Sequence, residues 1–144
     1  MKLRFLMFAL AALAVTTAGL AAESVQARCI LVAASNGKRE SDPRLAQYEP
    51  TLRRVLRFES YRFVGSGGAR AAAPGETTMS LGQGHRIVLE VESVNGDQIR
   101  ARVSWIEGGK TLMNTVLVLR RGVPAVLGGP ARGGEVLAVI LIPS

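Results

Sequence analysis

The chain has 144 residues, with 18 bases against 11 acids, hydrophobic residues at 48% and a single cysteine. That length holds one ordinary domain and, once an N-terminal leader is removed, not two. A lone cysteine excludes an intramolecular disulfide, so burial and hydrogen bonding must hold the fold, which so apolar a composition allows.

Lys2 and Arg4 precede an apolar run from Phe5 to Val15, and small residues follow through Ala22. Positive, then apolar, then small is the layout of a secretory signal peptide. The run falls short of the roughly 20 apolar residues that a spanning helix needs. Cleavage fits after Ala22, or after Ala27 with Val25 three residues before the cut; the second is preferred, which gives a leader over 1–27 and one β-rich domain over 28–144. Arg28 stands where a lipid-accepting cysteine wants a small residue, so Cys29 is expected as a buried, inert thiol rather than a lipid anchor. The expected location is periplasmic or secreted. There the basic surplus points away from nucleic acid, and either towards anionic envelope components or to solubility alone.

Ile30 to Ala34 is a short continuous apolar run ended by Ser35-Asn36-Gly37, the pattern of a strand covered on both faces. Asp42-Pro43 is a helix start, an N-cap acceptor followed by proline, and Pro50 makes a second. Residues 43–57 are therefore expected as one broken helix or two short ones, with Leu45, Leu52, Val55 and Leu56 on a shared face. Arg53, Arg54 and Arg57 would then face solvent. They are the one candidate anion contact in the chain, against the simpler reading of a solvated helix face.

Beyond Phe58 the helical period is lost. Ser60 to Val64 is expected as a strand broken by Gly65-Ser66-Gly67-Gly68, and residues 76–80 as another. Arg86–Val94 and Gln98–Glu107 form the clearest element, a hairpin around Asn95-Gly96. A two-residue Asn-Gly turn would set polar residues opposite core residues, so a three-residue loop of Val94, Asn95 and Gly96 is preferred, with Glu90 facing Arg100. Glu90, Glu92, Arg100 and Arg102 would make an ion-paired outer face. They are not an acid–base pair, because the arginines hold both carboxylates ionised.

Lys110 to Leu119 follows as a strand, then Pro124–Leu127 and Val136–Ile142, with the glycines between them assigned to turns. The runs 30–34, 116–119 and 136–142 are apolar on both faces and call for cover on both sides. Neither Gly128-Gly129 nor Gly133-Gly134 has the lysine and Ser/Thr of a phosphate loop.

Chemistry-bearing residues are few. His85 is the only histidine, expected in an exposed turn without a local partner, and Ser66 lacks the spacing of a nucleophile elbow. No zinc spacing or dinucleotide fingerprint occurs, so no cofactor and no metal is expected. Trp105 and Tyr61 are expected in the core. The stretch RRGVPAVLGG, with LAVILIP after it, is similar to the glycine-punctuated hairpin of outer-membrane secretins and related secretion proteins. In those, a stretch of the G-x-x-V-V-I-G-G kind precedes a hydrophobic strand ending in proline. The resemblance covers residues 120–143; it implies an exported secretion-type β-module and carries over no functional residue.

The expected fold is α+β and mostly β: one short helix after the first strand, then an antiparallel meander forming a small sandwich or partly open barrel. The expected function is that of a non-enzymatic module binding another envelope or secretion-system protein, with no membrane span once the leader is gone. The alternative is a β-sandwich that binds an anionic glycan or lipid through Arg53, Arg54 and Arg57, and a hydrolase built on Ser66 or His85 comes third. A deep pocket lined by arginine and tryptophan would favour the ligand binder, and an open strand edge or flat apolar patch would favour the protein partner.

Overall fold

The structure is a computed structural model that describes residues 23–37 and 42–144; residues 1–22, on which the leader was read, lie outside the described residues. Eight strands form two antiparallel sheets. The first sheet has the order β2-β1-β8-β7, from β1 (Ser24–Ser35), β2 (Ser60–Ala72), β7 (Ala125–Arg132) and β8 (Glu135–Pro143). The second is the meander β3-β4-β5-β6, from β3 (Gly75–Gly82), β4 (His85–Asn95), β5 (Gln98–Glu107) and β6 (Lys110–Arg120). The fold is thus the small β-sandwich expected, mostly β with one short helix after the first strand.

Between the sheets lies the main core. Val25, Ala27, Cys29 and Leu31 of β1 and Val139 and Leu141 of β8 meet Ile87, Leu89 and Val91 of β4 and Ile99, Ala101, Val103 and Trp105 of β5. Strand periodicity sends the alternate residues Ile30, Val32, Ala34, Ala138 and Ile140 to the other face of the first sheet. There a 3₁₀ turn (Pro43–Leu45) and helix α1 (Glu49–Leu56) cover them with Leu45, Tyr48 and Leu52. β1 and β8 are therefore buried on both faces, which explains their unbroken apolar sequences. The helix start also forms as expected: the Asp42 carboxylate accepts the Arg44 N–H at 2.9 Å, ahead of Pro43 at the first helical position. Val55 does not share the buried face; it is 52% exposed.

Several sequence expectations change, each for a physical reason. β2 does not stop at Val64 but runs on through the glycines to Ala72, paired with β1 along its length. A Cβ on Gly65 or Gly67 would collide with the Leu81 or Ser80 carbonyl of β3, so these glycines allow close approach of two strands rather than a break. Gly128, Gly129 and Pro130 likewise lie inside β7, at a bulge opposite β8, and the turn falls at Gly133-Gly134, both at positive φ. In the β4–β5 hairpin the closing pair is Asn95↔Gln98, so the loop is Gly96-Asp97, two residues long. A bulge at Glu92 restores the apolar phase that such a turn would otherwise break. Glu90 therefore faces Arg102, and Arg100 faces Ser93. Finally, the run 116–119 is not covered on both faces, because the helical cover lies on the first sheet only and the outer face of the second is open, leaving Val118 62% exposed.

Candidate functional site

The four strand edges differ in what they can accept. β2 and β3 end their sheets side by side, and the glycine approach just described makes each cover the other. β7 is interrupted by its bulge and by Pro130, which has no N–H to offer. β6 pairs with β5 on one side only, over eleven residues that contain neither glycine nor proline. Its bulge falls early, at Leu112, so Met113 to Arg120 is regular. Side chains of Thr115, Leu117 and Leu119 point inward from this stretch, and Asn114, Val116, Val118 and Arg120 point outward. An exposed, regular strand with alternating outward valines is a surface to which another strand can add.

Charge on the outer face of this sheet is graded. Glu76 of β3 lies beside Glu90 of β4, which also carries Arg86 and Glu92, whereas β5 and β6 present Arg100, Arg102 and Arg120; Lys110, beyond the bulge at Leu112, stands opposite Glu107 on the core-facing side. Arg100 donates from Nε to Glu92 Oε2 at 2.9 Å and is neutralised. Arg102 lies opposite Glu90 but makes no close ion pair with it; it leans towards the edge and donates to Asn114 Oδ1 of β6 at 2.9 Å. Among the described residues, Lys110 and Arg120 make no ion pair. On the outer face, Arg102 and Arg120 therefore stand near the β6 edge without a close ion pair, while Lys110 shares the charge of Glu107 opposite it.

A second cluster lies at the other end of β5. His85 is not in an exposed turn: it opens β4 and is only 5% exposed. Trp105 Nε1 donates to His85 Nδ1 at 3.1 Å, which leaves the ring proton on Nε2, 2.9 Å from Glu107 Oε2. Arg132 of β7 then holds both oxygens of Glu107, at 2.7 and 2.6 Å. This bidentate bond keeps the Glu107 carboxyl below its ordinary range. The Trp105 ring is packed so closely on Gly129 that a Cβ there would overlap it. The chain Trp105–His85–Glu107–Arg132 thus ties the second sheet to β7 of the first. Sequence reading missed it because its members come from β4, β5 and β7, and only pairing brings them together.

The remaining residues singled out in the sequence are dispersed. Arg53 is bound to Glu49 one turn back, at 2.7 Å, and reaches the Glu59 carbonyl; Arg54 and Arg57 are exposed, and Arg57 takes the left-handed position that ends α1. Ser66 points outward from the first sheet, while both ring nitrogens of His85 are engaged in the second. Cys29 is a buried free thiol, pushed up to about 12 by burial. The Tyr61 hydroxyl donates to the Phe58 carbonyl and accepts its N–H, closing the loop after α1. Among the described residues, no helix is long and apolar enough to cross a membrane, and no group of three or more His, Cys, Asp or Glu side chains could hold a metal ion. Comparisons of the chain with protein-family models, with curated proteins and with solved structures returned no match.

Proposed function

We propose that this chain is an exported, non-enzymatic envelope module that works by protein–protein contact, with β6 as the edge on which a partner strand pairs. The observation that supports this reading is the open, regular stretch from Met113 to Arg120, the one strand edge among the described residues that is neither covered nor interrupted. Backbone hydrogen bonds along such an edge give affinity, and alternate side-chain positions give specificity. The resemblance of residues 120–143 to secretion proteins points to a secretion-system component as the partner.

A photo-crosslinking amino acid at position 118, in the cells that make the protein, tests this. Adducts are expected with an envelope protein from position 118, and none from position 66 on the outer face of the opposite sheet. Equal adducts from both positions, or adducts with cytoplasmic proteins, would overturn the reading.

A further inference from the structure

We infer that Arg28 and Arg70, on the outer face of the first sheet, hold a phosphate group between them over Gly68; this site is separate from the β6 edge and does not depend on it. Strand pairing builds the site. Arg28 of β1 stands opposite Gly68 of β2, and Gln26 opposite Arg70, so the two arginines are diagonal neighbours on one face. Ser66, two residues along β2 from Gly68, is the other diagonal neighbour of Arg28. Diagonal positions lie about 7–8 Å apart, so long side chains reach a group held between them. The helical layer buries Ile30 and Ile140, the next row of this face, and leaves Arg28, Ser66, Gly68 and Arg70 exposed.

Charge argues for an anion. Among the described residues, neither Arg28 nor Arg70 makes an ion pair or a side-chain hydrogen bond. The outward neighbours of Arg28 on β1 and β8 are Gln26, Ile30 and Ile142, none of them an acid. Ser144, hydrogen-bonded to Gln26, is engaged through its carbonyl oxygen by Arg121 at 2.9 Å. Two like charges therefore stand side by side without a counter-charge, and an anion between them relieves their repulsion. Shape argues for a close approach. Gly65 and Gly67 admit the carbonyls of β3, and Gly128 lies under Leu56. Gly68 meets no side chain; within 4 Å of where its Cβ would stand there is the Ala27 carbonyl oxygen, at 3.3 Å. Its missing side chain leaves a recess between Ser66 and Arg70, of the kind by which a strand lets a ligand approach its backbone. Two guanidinium forks and a hydroxyl offer more donors than the two oxygens of a carboxylate take up, whereas the oxygens of a phosphate group match them.

The test uses the protein without its expected leader, beginning at Glu23, which keeps every described strand. Two probes separate the sources of such a group. A sugar phosphate is titrated in and read by the amide shifts of Ser66 and Gly68. Vesicles of phosphatidylglycerol in phosphatidylcholine are read by co-sedimentation. Arg28→Gln and Arg70→Gln should each weaken binding about two- to fivefold at 0.1 M salt, and less at 1 M. Arg54→Gln removes an equal charge from α1 and should leave binding unchanged; circular dichroism confirms that all three variants are folded. Binding of the sugar phosphate with this pattern assigns a soluble ligand, and binding of the vesicles alone with this pattern assigns a lipid headgroup. If neither probe binds, or if Arg54→Gln weakens binding as much as Arg28→Gln and Arg70→Gln do, the inference is overturned.

Discussion

At the scale of single residues, His85 shows how pairing gives a side chain a role that its neighbours in sequence do not suggest. Flanked by Gly84 and Arg86, it has the look of a turn residue, yet both its nitrogens are satisfied in the core, by Trp105 and Glu107. Replacing it by alanine removes the acceptor of a buried indole N–H and leaves a cavity beside Trp105. Each effect is destabilising, and together they should cost about 2–4 kcal/mol. Urea denaturation of His85→Ala should therefore show a clearly lower midpoint; an unchanged midpoint would mean that the Trp105 bond contributes nothing. Gly129→Ala tests the same corner from the other side. Its new methyl meets the Trp105 ring and stands 3.0 Å from the Leu137 carbonyl, so the indole must move. Overpacking of that kind costs about 1–3 kcal/mol. No local pattern could have announced either effect, because the indole, the imidazole and the glycine come from three strands.

Among the elements, the strands that were legible in the sequence are those whose burial repeats along one strand. β8 is such a case: Val139 points into the core between the sheets, and Ile140 into the layer under α1. Val139→Asp and Ile140→Asp should both unfold the domain, since each buries an unpaired carboxylate at a cost of several kcal/mol. Val118→Asp, on the outward face of β6, should shift stability by less than about 0.5 kcal/mol. Thermal melts of the three variants check the contrast. The sequence runs around Val118 and Val139 look alike, and only the fold separates them, because α1 covers the outer face of the first sheet and not that of the second. β2 was misread for the opposite reason: its glycines look like breakers, whereas they admit the carbonyls of β3. The clamp between β5 and β7 adds a pH dependence. Arg132 holds the Glu107 carboxyl below its ordinary range, so the stabilisation is fully present above that range and is lost as pH falls through the lowered folded value. Arg132→Gln should remove this part of the acid limb, measured as a shallower fall of the urea midpoint below the ordinary glutamate range.

For the whole molecule, the fold bears on the proposed export, namely on where the chain would begin once the expected leader is removed. The sequence prefers the cut after Ala27 to that after Ala22, and burial argues for the other choice as a proposal. Residues 24–27 are not a dangling end: Ser24 to Ala27 pair with Ala72 to Ala69 of β2, and Ala27 also faces Pro143 of β8. Val25 and Ala27 are buried in the core between the sheets. Gln26 exchanges two backbone hydrogen bonds with Ser144, so the start of β1 also anchors the end of the chain. Cutting after Ala27 would strip these residues from β1 and expose their partners on β2. The lost burial of Val25 alone amounts to about 1.5–3 kcal/mol, a large share of the 5–15 kcal/mol that holds a domain of this size. We therefore expect processing after Ala22, leaving Glu23 as the first residue. Intact mass of the protein recovered from the envelope decides between the sites. A chain beginning at Arg28 and melting at the same temperature as one beginning at Glu23 would show that Ser24 to Ala27 contribute nothing to the sandwich.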